Sequence, residues 1–179
     1  MSKEELPRDG DLERARRLVA EAAQYLGQHR PGEAVPLLLK ARELEPDNAA
    51  AAINLGGAYI LQGKHRQAVP VLEEASRLEP DNAMVWTNLA AAYLGKLPFA
   101  TTEMQDKAIG AFKAALRLDP RAPHVNYNLA LVYLERRDIE QAALHLYAAL
   151  DTNPNDRDAA LWLSRIRSGE LGKSEPPEN

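Results

Sequence analysis

Cysteine is absent from the 179 residues, and with it go disulfides, thiolate metal sites and cysteine nucleophiles. Phenylalanine and tryptophan number only two each, so the 45% hydrophobic fraction rests on small and aliphatic side chains, which suit close helix–helix packing. No run reaches the roughly 18 apolar residues of a membrane helix. The charged opening, Met1 to Gly10, lacks the apolar stretch of a signal peptide, so a soluble, cytoplasmic protein without membrane association is expected. A basic excess is missing too: Lys and Arg total 22 against 26 Asp and Glu, a net charge of −4. Nucleic acid needs clustered cations, so none is expected as a partner. There is no Gly-rich phosphate loop, His-Glu metal motif or nucleophile elbow. The histidines His29, His65, His124 and His145 do not recur at ligand spacing, and the carboxylates sit in turns and on helix surfaces. An enzyme, a metal site and a cofactor are all unexpected.

What the chain does have is a register. Tyr25, Tyr59, Tyr93 and Tyr133 lie 34, 34 and 40 residues apart, and Pro46, Pro80, Pro120 and Pro154 lie 34, 40 and 34 apart. Two residue types keeping one period mean one supersecondary unit used several times. Residues 49–82 serve as the type unit. Ala49 to Leu61 is built of helix formers, apolar on more than one face, as for a helix between neighbours. Gln62-Gly63-Lys64-His65 interrupts it, with Gly63 able to take the positive φ of a helix C-terminus. From about Arg66 to Leu78, the spacing of Ala68, Val71, Leu72, Ala75 and Leu78 predicts a second helix with one apolar stripe. Pro80 stops it, and Asp81-Asn82 can cap the next. Such a hairpin cannot bury its stripe alone and must stack.

These residues resemble the tetratricopeptide repeat family, whose pattern is W-x2-L-G-x2-Y, A-x3-F and P. The second unit supplies Leu55-Gly56, Tyr59, Ala68-x3-Leu72 and Pro80, and the third Trp86, Leu89-Ala90, Tyr93, Ala108-x3-Phe112 and Pro120. The fourth supplies Leu129-Ala130, Tyr133, Ala142-x3-Leu146 and Pro154. The first unit fits at Leu18, Ala22, Tyr25, Ala34, Leu38 and Pro46, but Glu21 stands where a large apolar residue is usual, as in a terminal repeat facing water. The resemblance implies an all-α fold, a right-handed α-solenoid of four helical hairpins plus a C-terminal capping helix. The expected division is a flexible segment 1–10 and a solenoid over 11–168, then a disordered tail at 169–179. Within the solenoid, repeats fall at about 15–48, 49–82, 83–122 and 123–156, with the capping helix at 157–168.

The third unit is six residues too long, and the excess lies between Tyr93 and Ala108. Gly95 to Ala100 reads as a loop, and Thr101 or Thr102 as the cap of the next helix, Thr102-x-x-Gln105 having capping-box form. Leu97 and Phe99 either fold back over the hairpin or form a protruding apolar tip that touches a partner.

In the family, first helices line a concave groove. The resemblance places Ile53 and Asn54 there in the second unit, and Met84, Thr87 and Asn88 in the third. In the fourth it places His124, Tyr127, Asn128 and Leu131, with Trp162 at the cap. Asn54, Asn88 and Asn128 occupy equivalent places, and in some members such a row of amides holds peptide backbone. One acceptor and two donors per side chain suit an extended chain. The alternative is that each amide only bonds neighbouring helix groups. Members that clamp acidic chaperone tails add Lys and Arg to the groove, whereas here Val19, Ala23, Gly57 and Ala91 fill those places and only Arg16 is basic. His29 and His65 should be exposed, and only His124 could face the groove. Basic residues gather at the hairpin turns and acidic ones at the joins, giving two edges of opposite charge.

The expected function is non-enzymatic: a protein–protein interaction module that holds an extended peptide or helix. The alternatives are a self-associating scaffold, hence a homo-oligomer, and an accessory subunit of a larger assembly.

Overall fold

The computed structural model describes residues 9–170, and among them every regular element is helical. The elements are α1 (Asp9–Gly27), α2 (Pro31–Leu44), α3 (Ala49–Leu61), α4 (His65–Leu78), α5 (Ala83–Leu94), α6 (Thr102–Leu118), α7 (Val125–Glu135), α8 (Ile139–Thr152) and α9 (Arg157–Arg167), with one 3-10 turn at Leu97–Phe99. Helix α1 thus begins inside the segment expected to be flexible. Of the expected tail, residues 171–179 lie outside the described residues.

Local chemistry sets the boundaries. Glu45-Pro46-Asp47-Asn48 and Glu79-Pro80-Asp81-Asn82 are one four-residue sequence used at two joints. The proline ends a helix, and the asparagine starts the next by accepting a backbone N–H: Asn48 from Ala51 at 2.8 Å, Asn82 from Met84 at 3.0 Å. Each capping amide donates in turn to the glutamate three residues earlier, Asn48 to Glu45 and Asn82 to Glu79, which fixes its oxygen toward the helix. The acidic joins therefore orient caps. Asp156 caps α9 directly, accepting from Ala159 at 3.0 Å.

Helix ends repeat as faithfully. Tyr59 C=O accepts from Lys64 N–H at 2.8 Å, and Ile60 C=O from Gly63 N–H at 2.9 Å, the paired bonds of a Schellman closure with Gly63 at φ 70°. Tyr25 and Tyr133 close their helices by the same pair of bonds, but the left-handed residue there is His29 (φ 56°) or Arg137 (φ 58°). Left-handed backbone strains a residue with a Cβ by about 1–2 kcal/mol. Glycine offsets part of that gain through its freer unfolded chain, by about 0.4–1 kcal/mol. His29→Gly and Arg137→Gly should therefore each stabilise the protein by about 0.5–1 kcal/mol in urea titration. A loss of stability would mean that the exposed side chain makes contacts worth more than its strain.

The inserted residues remove this closure from the third repeat. Gly95 takes φ 56° and ψ −116°, and its N–H bonds only to Ala91 C=O at 3.1 Å. After the 3-10 turn, Thr101 caps α6 by accepting from Met104 N–H at 3.3 Å. The Gln105 side-chain amide donates to Ala100 C=O at 3.3 Å.

The chain divides into two compact units, Met1–Ala114 and Ala115–Asn179. In the first, α1 packs on α2 and α3 on α4, with α2 against α3 and α4 against α5. One core cluster joins Ala15, Ala22, Ala34, Leu38, Ala41, Ala51, Leu55 and Ala58; a second joins Ala68, Leu72, Leu89 and Ala92, with Tyr59 packed on it. Alanine at so many contacts lets helix axes approach closely. At Gly56 the approach is close enough that a Cβ would stand 2.4 Å from Leu72 Cγ. Its neighbour Gly57 is the opposite case, with nothing within 4 Å of that position. Arg42 on α2 reaches Glu74 on α4 at 2.6 Å. In the second unit α7 packs on α8 and α8 on α9 around Ala130, Leu146, Ala149, Ala159 and Leu163. Helix α9 covers that apolar face. The fold class is all-α, of the helical-hairpin repeat type.

Candidate functional site

Helices α3 and α5 of the first unit present Ile53, Asn54, Gly57, Leu61, Met84 and Asn88 to a shared recess of about 280 Å³, with Leu26 of α1 at its end. Helical periodicity brings them there, since positions three and four apart share a face. Ile53 is buried at 5% exposure and forms the wall, whereas Leu61 (57%) and Met84 (54%) stand out as apolar lips. Asn54 and Asn88 are half-buried, and neither side chain hydrogen-bonds within the described residues. The neighbouring-helix bonds entertained for these amides are not made. Thr87 is not among the lining residues: its hydroxyl donates to Ala83 C=O at 2.9 Å within its own helix. Leu26 was missed by the sequence reading, although it stands one residue after Tyr25 as Ile60 does after Tyr59.

The second unit holds the remaining residues. Asn128 and Leu131 are half-buried on α7, and the Asn128 side chain has no hydrogen bond within the described residues. Tyr127 packs in the α7–α8–α9 core; burial raises its phenol pKa, and a hydrogen bond with Trp162 partly offsets this. Trp162 is half-buried there too, with the Arg165 guanidinium 5.3 Å over its ring. His124 is not a residue of a first helical turn. It is the N-cap of α7, left-handed at φ 60°, because the Asp119-Pro120-Arg121-Ala122-Pro123 approach has no asparagine where Asn82 stands. Its exposed ring shares a separate recess with Asn126, Tyr127 and Asp156.

At the insertion the two readings divide between the two side chains. Leu97 is half-buried and Phe99 is 82% exposed. His65 is half-buried rather than exposed: its ring lies beneath Gly95, and its Nδ1 is closed from water without a hydrogen-bond partner. His29 is exposed as expected. His145 stacks on Tyr133, centroids 5.5 Å apart, with Nδ1 3.0 Å from Asn126 Oδ1. Tyr93 donates to Glu73 at 2.7 Å, and burial followed by that carboxylate pushes its phenol well above the usual range. Among the described residues no cluster of three or more His, Asp or Glu side chains could hold a metal ion, and no helix is long and apolar enough to cross a membrane.

Stacked helical hairpins with an open, apolar-lipped recess define a repeat module built for protein–protein interaction. Models of the tetratricopeptide repeat match residues 25–92, and again 106–157 and 127–167. The chain belongs to the tetratricopeptide repeat family. Solved structures repeat the fold. MamA is 18% identical with a TM-score of 0.76, over 88% of this chain and 83% of that one. PilF of Pseudomonas aeruginosa is 23% identical with a TM-score of 0.75, over 92% and 72%. YrrB, described as a tetratricopeptide repeat protein with an unusual peptide-binding site, is 18% identical with a TM-score of 0.71, over 89% and 79%. At these identities the likeness is one of fold. Among curated protein sequences there is no match.

Proposed function

We propose that this chain is a non-enzymatic module that binds an extended segment of another protein in the recess of α3 and α5, with Asn54 and Asn88 holding the segment's backbone. The observation that carries the reading is the pair of half-buried amides without intramolecular partners, set between the apolar lips Leu61 and Met84. A peptide group offers the donor and acceptor each amide lacks, and an extended chain presents such groups at regular intervals. Asn128, with Leu131, gives the second unit an amide of the same repeat register, so the same kind of contact is proposed there. A preformed helical surface loses little entropy on binding. That YrrB carries a peptide-binding site on this fold is in keeping with the proposal.

The test starts from partners captured in native cell extract and reduced to overlapping synthetic peptides. Asn54→Ala with Asn88→Ala should weaken the binding peptide at least about tenfold in calorimetry, since each change removes a partner from a desolvated hydrogen bond. The circular dichroism of the double variant should match that of the parent. Unchanged affinity would reject the recess. Growth of particle mass with concentration in the absence of any partner would favour a self-associating scaffold instead.

A further inference from the structure

The inserted loop builds a second recess, away from Asn54 and Asn88. It holds about 580 Å³ between the α3–α4 turn, the end of α5 and the start of α6. Its apolar lining includes Val69, Tyr93, Leu94, Phe99 and Met104. Phe99, at 82% exposure, is the most exposed large hydrophobic side chain among the described residues. Ala100 N–H closes the 3-10 turn on Leu97 C=O at 3.0 Å, so the ring is carried by a formed element. Keeping such a ring in water is unfavourable on folding grounds alone.

The charges around it are one-sided. Lys64, Arg66 and Lys96 line the recess, and no carboxylate does. None of the three makes an ion pair within the described residues. Glu73 accepts from the Tyr93 hydroxyl, and Glu103, beside the lining residue Met104, pairs with Lys107. A three-cation rim on a chain of net charge −4 is a local inversion of sign.

We infer that this recess is a docking site for an acidic, linear protein segment bearing one bulky apolar side chain. The apolar side chain enters against Phe99, Met104 and Val69, and flanking carboxylates meet Lys64, Arg66 and Lys96. A lone aromatic anchor with charged neighbours is the pattern in which a short segment gains most of its affinity at one point. A polynucleotide suits the site less well. Three cations neutralise few phosphates, and the overall negative charge repels a long polyanion. The site is independent of the Asn54–Asn88 recess.

Fluorescence anisotropy on the full chain tests it. The probe is an end-blocked, fluorescein-labelled peptide of about eight residues, one tryptophan among aspartates and glutamates, at about 50 mM salt where such pairing is least screened. Tryptophan-to-alanine and acid-to-lysine versions of the probe should each bind at least about tenfold more weakly. Phe99→Ala and Lys96→Glu in the protein should do the same with unchanged circular dichroism, because both side chains are exposed. Asn54→Ala with Asn88→Ala should leave this binding intact, which separates its failure from failure of the peptide-holding recess. Several results would overturn the inference: equal affinity for the lysine version, no binding at about millimolar protein, or a response only to the Asn changes. A Phe99-dependent rise in mass without probe would assign the site to a second copy of this chain. Tighter binding of an oligothymidylate would assign it to nucleic acid.

Discussion

Leu72→Ala is expected to lower stability by about 2–5 kcal/mol in chemical denaturation and Gly56→Ala by about 1–3 kcal/mol, while the two together should cost less than their sum. Leu72 is fully buried in the cluster with Ala68, Leu89 and Ala92, so truncation leaves a cavity as well as losing transfer energy. At Gly56 a helix would ordinarily gain from alanine, by about 0.5–1 kcal/mol. Here the added methyl meets Leu72 Cγ at 2.4 Å, and Leu72 is fully buried. Remove the leucine and the methyl fills part of the hole. Strict additivity in the double-mutant cycle would show that the two residues do not touch, and would break the α3–α4 packing described above.

Leu146→Ala should also cost about 2–5 kcal/mol, but its effect should be local. Leu146 is fully buried beneath Ala130, Ala149, Ala159 and Leu163, in a unit whose core is small. In repeat arrays stability is a sum of unit and nearest-neighbour contributions, so loss in one unit need not melt the rest. Native-state hydrogen exchange should show α7, α8 and α9 losing protection while α1 to α4 retain theirs. An equal loss along the chain would mean that the two units unfold as one.

The helices were legible because their signals are local. The register prolines Pro46 and Pro154 stand just before α3 and α9, Tyr59 lies in the last turn of α3, and Gly63 takes the positive φ read for it. Pro36 and Pro70 show the limit of such signals: both lie inside helices, α2 and α4, which are held on either side by buried alanines and leucines. At the insertion the expected loop contains a 3-10 turn, but nothing periodic tells which of Leu97 and Phe99 faces inward. His65 is half-buried with its ring beneath Gly95, 30 residues later, a contact no nearby residue announces. His124 was misplaced because counting 40 residues from Met84 assumes a helix start that Pro123 and a missing asparagine delay. For the recess, spacing put Asn54 and Asn88 at equivalent places, and the family resemblance turned those places toward a groove. That their amides lack partners is a fact of three dimensions.

Gly56 and Gly57 are adjacent in sequence yet answer to different pressures, since one is locked against Leu72 and the other opens onto the recess. Position 57 is therefore an adjustable aperture. Alanine there should raise the melting temperature, as glycine-to-alanine changes in helix interiors do by about 0.5–1 kcal/mol. Valine, leucine and phenylalanine would narrow the channel by steps while the core beneath stayed as it is. A small combinatorial library at this single site could then sort ligands by girth without trading away foldability, a separation of variables that designers of repeat-protein binders usually have to engineer.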